Sequence, residues 1–256
     1  ETDHRYSMID GDYVVWMSND TGEDQIYLYD ISKGEERKLT DSQGGKLSPI
    51  ISGERLVWAD RRTGKWDIYL YNLTSNEETA ICTEAKNQIQ AWISGDTIVW
   101  ADGRNVPDSS VRNWDIYSYN LSTGVERAIV TNSANQGSPC VYGRHVAWLD
   151  ERGGDPDIYL YDLVKNVEIP ISTLPMVQAP NDGKGDPERV KPHSPSKIIS
   201  QDKIVWMDNS YGFTQIKMRY IESDPMLLLS TDFPSTNGSM MVWSDNRRGN
   251  WNIFGF

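Results

Sequence analysis

The stretch VWADRRTGKWDIYLYNL, residues 57–73, brings two carboxylates and a guanidinium together around a short loop. These groups belong to Asp60, Arg62 and Asp67. Carboxylates close to a cation are the kind of group that general acid–base catalysis uses. The same groups can instead hold a turn in shape, because an arginine fork satisfies a carboxylate with two parallel hydrogen bonds. How often the group recurs along the chain separates the two hypotheses.

The sequence repeats itself with a period of about forty residues. Two mainly apolar residues followed by a tryptophan recur at Trp16, Trp58, Trp100, Trp148, Trp206 and Trp243. Each repeat contains four short runs rich in Val, Ile, Tyr, Trp and Thr, separated by Gly, Asn, Asp and Ser, which is typical of strands and turns. No segment has a sustained helical stripe, so almost no helix is predicted. A period of this length is typical of propeller blades.

The sequence therefore predicts an all-β chain, a six-bladed β-propeller of four-stranded blades. Its last blade is either three-stranded or is completed by chain beyond Phe256. We expect a single propeller domain over residues 1–256, with an insertion loop at 173–195. The expected blades span about 1–41, 47–84, 89–131, 138–173, 195–231 and 233–256.

The repeat unit ISGxxIVWxDxRxGxxDIYxYDLxTGxE resembles that of TolB-like propellers, especially those of surface and secreted proteins of archaea and bacteria. The copies that carry the resemblance include ISGERLVWADRRTGKWDIYLYNLTSNEE and VYGRHVAWLDERGGDPDIYLYDL. The resemblance covers the whole chain, strongly in blades two to four and weakly in blade five. It implies the fold. It leaves function open, because such propellers serve as binding platforms, envelope-complex subunits, peptidase domains and polysaccharide lyases.

Comparison of the repeats favours a structural role for the opening group. Arginine stands four residues after the tryptophan in blades two, three, four and six, and there the position before the IY-type pair holds Asp, Asp, Asp and Asn. In blades one and five the arginine is absent and that position holds Gln. Groups that are lost together are interpreted as a pair, because a lone buried charge is costly. The predicted staple residues are Asp60, Arg62, Asp67, Asp102, Arg104, Asp115, Asp150, Arg152, Asp157, Asp245, Arg247 and Asn252.

Function is expected where the repeat is interrupted, because binding residues are carried on loops held by a rigid scaffold. Strand alternation places the insertions 104–113 and 173–195 on one end of the propeller, in adjacent sectors. The second insertion can also be a solvated excursion without a ligand. Shorter links on the same end place two glutamines at matched positions. The predicted ligand-binding residues are Asp108, Asp182, Asp186, Glu188, Arg189, His193, Gln88 and Gln136.

No catalytic residue and no cofactor are predicted. Asp182 and Asp186 carry oxygens of the kind that calcium takes, but their spacing is not that of a known calcium loop. Cys82 and Cys140 form neither a disulfide framework nor a metal pattern. The net charge of −12 argues against a nucleic-acid partner. No apolar run approaches the roughly 20 residues of a membrane helix.

We expect a non-catalytic extracellular, cell-surface or periplasmic propeller that binds a protein or a glycan through its insertion-bearing face. The alternative is a carbohydrate-active enzyme of the polysaccharide-lyase type, acting at the central opening. A third hypothesis is an architectural module, with further domains in a longer chain.

Overall fold

The structure is a computed structural model, and every regular element in the part of the chain that it describes is a β-strand. The chain divides into two compact units, Glu1–Gly143 and Arg144–Phe256, which are described separately. The described residues are 4–20, 22–107, 113–154, 156–172, 199–200, 203–208, 215–221, 225–228, 235–236, 241–245 and 252–255.

The first unit contains three sheets of four antiparallel strands, each ordered as it runs along the chain. The first sheet comprises β1 (His4–Asp10), β2 (Tyr13–Ser18), β3 (Gln25–Asp30) and β4 (Glu35–Lys38). The second comprises β5 (Lys46–Ser52), β6 (Arg55–Asp60), β7 (Asp67–Asn72) and β8 (Glu77–Cys82). The third comprises β9 (Gln88–Ser94), β10 (Thr97–Asp102), β11 (Asp115–Asn120) and β12 (Val125–Val130). A further strand, β13 (Gln136–Tyr142), lies beside β9 and β10.

The second unit continues the pattern of consecutive antiparallel pairs. Its first strands are β14 (His145–Asp150), β15 (Asp157–Asp162) and β16 (Val167–Ser172). A four-stranded sheet follows, made of β17 (Ile199–Ser200), β18 (Lys203–Asp208), β19 (Gln215–Tyr220) and β20 (Pro225–Leu228). The last sheet has three strands, β21 (Ser235–Thr236), β22 (Met241–Asp245) and β23 (Asn252–Gly255). The prediction of an all-β chain built from four-stranded antiparallel sheets is confirmed.

The sheets of the first unit pack face to face, because their middle strands are apolar on both sides. One core cluster joins the first two sheets through side chains such as Val15, Ile26 and Leu56. A second cluster joins the second and third sheets through side chains such as Ile68 and Ile98. The repeated tryptophans are the largest members of this core, and Trp58 and Trp100 are fully buried. The apolar pattern of the repeat therefore codes for stacked sheets.

The first strands of successive sheets lie side by side in the first unit, from β1 through β5 and β9 to β13. The third residue of each has a positive φ although it is not glycine, with angles of 54°, 46°, 58° and 52° at Tyr6, Ser48, Gln90 and Ser138. The pairing of β1, β5 and β9 with the next strand shifts register at this point. Each of these three strands therefore carries a β-bulge, which bends the strand and increases its twist.

The polar positions of the repeat meet at one end of every sheet. The last residue of the second strand lies opposite the first residue of the third strand, as in Asp60 and Asp67. The same register joins Ser18 to Gln25, Asp102 to Asp115, Asp150 to Asp157, Asp208 to Gln215 and Asp245 to Asn252. The loop between these strands, with the link to the next sheet, forms what we call the loop end.

Candidate functional site

The carboxylate of Asp60 is buried at the loop end and receives hydrogen bonds on both oxygens. Trp58 Nε1 donates to Oδ2 at 3.0 Å, and Arg62 Nη2 donates to the same oxygen at 2.6 Å. The backbone N–H of Arg62 donates to Oδ1 at 2.9 Å. Burial by itself would raise the pKa of Asp60, but these hydrogen bonds outweigh it and hold the pKa below its ordinary value. The carboxylate is therefore ionised and engaged within its own sheet.

The guanidinium of Arg62 also reaches the third and fourth strands of its sheet. Its Cζ lies 4.0 Å from the ring centroid of Tyr69, and that ring stacks on Trp58 with the two centroids 6.1 Å apart. Nη1 pairs with the carboxylate of Glu78 on β8. Indole, phenol ring and guanidinium thus form a layered stack between two carboxylates. This cation–π contact adds to the two ion pairs.

The structure corrects the pairing expected between Arg62 and Asp67. Asp67 is buried and bonded instead by its own loop, from Thr63 Oγ1 at 2.5 Å and from Lys65 Nζ. The arginine follows the turn after Asp60 and folds back over the third strand. It therefore meets the carboxylate on its own side of the hairpin and the glutamate beyond, and the carboxylate across the turn has other donors.

The same stack recurs in the next two repeats. Arg104 Nη2 lies 2.7 Å from Asp102 Oδ2, and its Cζ lies 4.0 Å from the centroid of Tyr117. Arg152 Nη2 lies 2.6 Å from Asp150 Oδ2, with Tyr159 at 4.1 Å from the guanidinium. Each arginine again pairs with a fourth-strand glutamate, at 2.7 Å for Glu126 and 2.6 Å for Glu168. These glutamates were not predicted, although a Glu recurs at that point of the repeat and would have pointed to them.

Asp115 in the third sheet differs from its counterpart Asp67 in the second. Asn105 Nδ2 donates to Asp115 Oδ2 at 2.8 Å. The other oxygen, Oδ1, is buried and has no hydrogen-bond partner among the described residues. Desolvation raises the pKa of Asp115, and the hydrogen bond from Asn105 opposes that rise only in part. One carboxylate of the repeated pair is therefore less well accommodated than its equivalent.

The two glutamines predicted to bind a ligand are buried rather than presented to solvent. Gln88 is 0% exposed and Gln136 is 1% exposed. Gln88 Nε2 donates to the carbonyl of Lys86 at 2.5 Å, and Gln136 Nε2 donates to the carbonyl of Ala134 at 2.7 Å. Each amide thus bonds the backbone two residues before it.

A lysine takes the place of these glutamines in the second sheet. Lys46 is 0% exposed, and its Nζ donates to the carbonyls of Gly44 and Ser42 at 2.7 and 2.9 Å. The carbonyl of Gly44 corresponds to the one that each glutamine bonds. The ammonium of Lys46 and the amides of Gln88 and Gln136 therefore make equivalent hydrogen bonds, which hold the backbone of the link that precedes each sheet. The Oε1 atoms of Gln88 and Gln136 are buried and have no hydrogen-bond partner among the described residues, so ligand binding by these two amides stays a prediction.

The remaining predicted residues fall largely outside the part of the chain that the structure describes. Asp245 and Asn252 lie opposite each other on β22 and β23, as expected from the repeat. The residues outside the described ranges are Asp108, Asp182, Asp186, Glu188, Arg189, His193 and Arg247.

Within the described ranges, no group of three or more His, Cys, Asp or Glu side chains is arranged to hold a metal ion. Cys82 and Cys140 are both buried. Burial raises the pKa of the Cys82 thiol to about 12. No helix among the described residues has the length and apolarity needed to cross a membrane.

A cleft of about 500 Å³ opens at the loop end between the second and third sheets, and we call it the indole cleft. It is lined by Arg61, Gly64, Lys65, Trp66, Ala85, Lys86, Asn87, Gly103, Val106 and Trp114. All of these residues lie in loops. Trp66 and Trp114 directly precede β7 and β11, so the pairing of these strands fixes the backbone position of each indole. A volume of this size is typical of small-ligand sites.

The walls of the indole cleft are held by backbone contacts. Asn87 Oδ1 accepts a hydrogen bond from the backbone N–H of Trp66 at 2.9 Å, and its carbonyl accepts one from Gly103 at 2.8 Å. The Trp66 ring lies 3.3 Å from where a Cβ on Gly45 would stand. The Trp114 ring lies 3.5 Å from the corresponding point on Gly103. Glycine at both positions lets the indoles rest on the backbone.

Three cations line the indole cleft. Lys65 pairs with Asp67. Arg61 and Lys86 are exposed and have no carboxylate partner among the described residues, and their contacts are with the carbonyls of Gly64 and Val106. Sequence reasoning missed this cleft. The available signal was a tryptophan before the third strand in the second, third and sixth repeats, where the first repeat has Asp24 and the fourth has Pro156.

No protein-family profile and no curated protein matches the sequence. Solved structures do match. The chain is similar to TolB from Acinetobacter baumannii, with a TM-score of 0.58 and 19% identity over 90% of this chain. It is also similar to an oligogalacturonate lyase in complex with manganese, with a TM-score of 0.67, 15% identity and 96% of this chain covered. The β-propeller domain of the Trilobed protease from Pyrococcus furiosus matches over all of this chain, with a TM-score of 0.66 and 10% identity.

These similarities confirm the β-propeller fold that the repeat predicted. At such identities they establish the fold alone, because one propeller scaffold carries unrelated functions. The chain spans 57% of the TolB structure, 71% of the lyase and 81% of the protease domain.

Proposed function

We propose that this chain is a non-catalytic β-propeller binding module that works in the periplasm or at the cell surface, and that its loop end engages a protein or a glycan. One observation carries the proposal. Two indoles and two cations without carboxylate partners among the described residues line a single cleft at that end. Aromatic faces and unpaired cations on loops held by a rigid scaffold are typical of binding surfaces.

The repeated carboxylates support a binding rather than a catalytic role. The carboxylates of Asp60, Asp102 and Asp150 are each paired with an arginine of the same sheet. A catalytic group acts on one reacting atom and is not needed in three successive repeats. Their arginines are further committed to a tyrosine ring and a fourth-strand glutamate. These residues therefore stabilise the scaffold that presents the loops.

A carbohydrate-active enzyme is the second candidate function. One structurally similar protein is an oligogalacturonate lyase in complex with manganese. That resemblance concerns the scaffold alone, so the lyase hypothesis has to be supported by a measured cleavage of polysaccharide.

The test is retention of the whole chain on immobilised glycans and on immobilised secreted and envelope proteins. The comparison is a variant with Arg61→Glu and Lys86→Glu. We expect retention on at least one of these surfaces, strongly reduced by the double substitution. Retention that does not change would refute the loop end as the binding face.

A parallel assay tests the second candidate. The same chain is incubated with acidic polysaccharides, with and without manganese or calcium, and the release of unsaturated or reducing ends is followed. We expect no turnover. Reproducible turnover that is lost on heat denaturation would overturn the non-catalytic proposal.

A further inference from the structure

We propose that the indole cleft binds an anionic oligosaccharide. In this arrangement sugar rings pack on Trp66 and Trp114, and the carboxylate or sulfate groups of the sugar pair with Arg61 and Lys86. The inference rests on the proposed function and names the class of its ligand.

The indoles are fixed in place before any ligand arrives. Asn87 joins the two walls, with its side chain on Trp66 and its carbonyl on Gly103, at 2.9 and 2.8 Å. A Cβ on Gly103 would lie 3.0 Å from that carbonyl and 3.5 Å from the Trp114 ring, so the walls approach as closely as glycine allows. Both indoles are half-buried, which leaves part of each ring to the cleft. Rigid aromatic surfaces of this kind cost little entropy when they bind.

The charges of the cleft select an anion. The backbone of Arg61 is fixed by its N–H, which donates to the carbonyl of Gly45 at 3.0 Å, while its guanidinium makes no ion pair in the described part of the chain. Lys86 also lines the cleft and has no carboxylate partner among the described residues. An arginine fork matches the geometry of carboxylate and sulfate oxygens. The chain has a net charge of −12, so these two cations are a local exception.

The chemistry of the walls favours a sugar over a peptide or a nucleic acid. A sugar ring has an apolar face and a rim of hydroxyls, which suits a flat indole beside amide and carbonyl groups. No lining residue belongs to a strand, so the cleft gives a peptide no sheet edge to extend. A nucleic acid needs many clustered cations along its backbone, and the net charge opposes it.

The neighbouring junction has the opposite character. Between the first and second sheets, Asp24 stands at the position of Trp66. Glu23 Oε2 accepts a hydrogen bond there from the backbone N–H of Gly44 at 2.9 Å. That junction therefore carries two carboxylates, of which Asp24 is paired with Arg5, and it has no indole at this position. The indoles and unpaired cations of the cleft are therefore not shared by the junction between the first and second sheets.

The experiment is calorimetric titration of the whole chain with four probes of similar length. They are a uronic acid oligosaccharide, a sulfated oligosaccharide, a neutral oligosaccharide and a glutamate-rich peptide. We expect at least one of the two anionic sugars to bind about tenfold more tightly than the neutral sugar and the peptide, because one charge-assisted contact is worth about that factor. The preferred anionic sugar identifies carboxylate or sulfate as the charged group.

Variants locate the binding. Arg61→Glu and Lys86→Glu should each weaken the anionic sugar by about tenfold or more, whereas Arg37→Glu, an equal charge change on the exposed face of β4, should leave it within about twofold. Trp114→Leu should reduce the change in tryptophan fluorescence on binding, and the double variant Trp66→Leu, Trp114→Leu should abolish it. Thermal unfolding of every variant checks that the fold is intact.

The outcomes separate this inference from the proposed function. Equal or tighter binding of the peptide or the neutral sugar overturns the anionic sugar as ligand. No binding of any probe overturns it as well. If the Arg61→Glu and Lys86→Glu substitutions still abolish retention on a protein surface, the loop end remains the binding face and only the ligand class is wrong. If Arg37→Glu weakens sugar binding as much as Arg61→Glu, the cleft is not the site.

Discussion

At the scale of the residue, the repeated arginine works as a link between strands. Arg62 joins the end of β6 to the side chains of β7 and β8 through Asp60, Tyr69 and Glu78. A buried carboxylate is tolerated in a sheet only when donors replace the water it has lost. Here an indole, a guanidinium and a backbone N–H supply them. The same residue types at the same spacing therefore return wherever the geometry returns.

Replacing the arginine without its carboxylate should destabilise the chain. We expect Arg62→Met to lower the free energy of unfolding by about 3 kcal/mol, because Asp60 stays buried after losing its closer ion pair and keeps only the longer one with Lys46, at 3.5 Å. Arg61→Met next to it is the control, and it should change stability by less than about 0.5 kcal/mol, since Arg61 is exposed. Urea unfolding of both variants is the measurement. Equal stability of Arg62→Met and the parent chain would contradict the staple interpretation.

The two equivalent carboxylates Asp115 and Asp67 should respond in opposite directions to the same substitution. Asp115→Asn removes a buried charge with one unbonded oxygen, so we expect a gain of about 1 kcal/mol at pH 7. Asp67→Asn loses the ion pair with Lys65, so we expect a loss of about 2 kcal/mol.

The gain from Asp115→Asn should depend on pH. The pKa of Asp115 is raised above its ordinary value of 3.8, so folding favours the protonated form. The charged form therefore opposes folding above the raised pKa, and this cost disappears as the pH falls below 3.8. Thermal unfolding between pH 7 and pH 3 is the measurement. A gain that persists unchanged at pH 3 would mean that the charge is not its cause.

At the scale of the element, the first strand of each sheet in the first unit carries backbone strain at a fixed place. Four non-glycine residues have φ between 46° and 58° at its third position. A left-handed conformation costs such residues about 1 to 2 kcal/mol each. Because the positive φ recurs in all four strands, we attribute the bulge to the packing of these first strands against one another. A strained residue in a single repeat would instead have pointed to a functional site.

Substitutions at Ser48 test this strain. We expect Ser48→Val to lower the free energy of unfolding by about 1 to 2 kcal/mol, because a β-branched side chain does not tolerate a positive φ. Ser48→Gly should be at least as stable as the parent chain. Ala80→Val on the exposed part of β8, where φ is negative, is the control for adding a β-branched side chain, and it should change little. Equal stability of Ser48→Val and Ser48→Gly in urea unfolding would contradict the assignment.

At the scale of the whole molecule, one scaffold unit is repeated and its junctions are varied. Within the first unit, links between sheets are fixed by Lys46 and Gln88, and the loop after one sheet touches the loop of the next. The junction between the second and third sheets has indoles and cations, whereas the junction between the first and second sheets has carboxylates. Specificity can change at a junction without changing the core. That is the physical basis for one propeller scaffold serving many ligands.

Close packing between the first two sheets depends on Gly44. A Cβ there would lie 2.8 Å from the backbone carbon and oxygen of Arg61, and φ is +88°. Gly22 has a similar φ of +93° with nothing within 4 Å of a Cβ. We expect Gly22→Ala to cost about 1 kcal/mol from strain, and Gly44→Ala to cost about 1 to 3 kcal/mol more from the clash. Equal losses on thermal unfolding would show that the sheets yield at this contact.

The sequence by itself determined the strands, their antiparallel order and the blade repeat. Alternation of apolar residues, turn residues and a period of about forty residues are properties of the sequence itself, and they can be recognised without knowing any tertiary contact. It also identified the recurring group that contains Asp60 and Arg62. Where the strands of the structure lie follows directly from these patterns.

Only the tertiary structure decided which groups meet. The partner of Arg62 depended on how its side chain folds over Tyr69, and so Glu78 replaced Asp67 as the second carboxylate. The side chain of Gln88 is buried because the carbonyl of Lys86, in the link before β9, accepts its hydrogen bond. The indole cleft combines loops of two sheets, with Trp66 and Trp114 brought together from separate repeats. Side-chain direction and contacts between distant loops are set by packing, and no local pattern of residues encodes them.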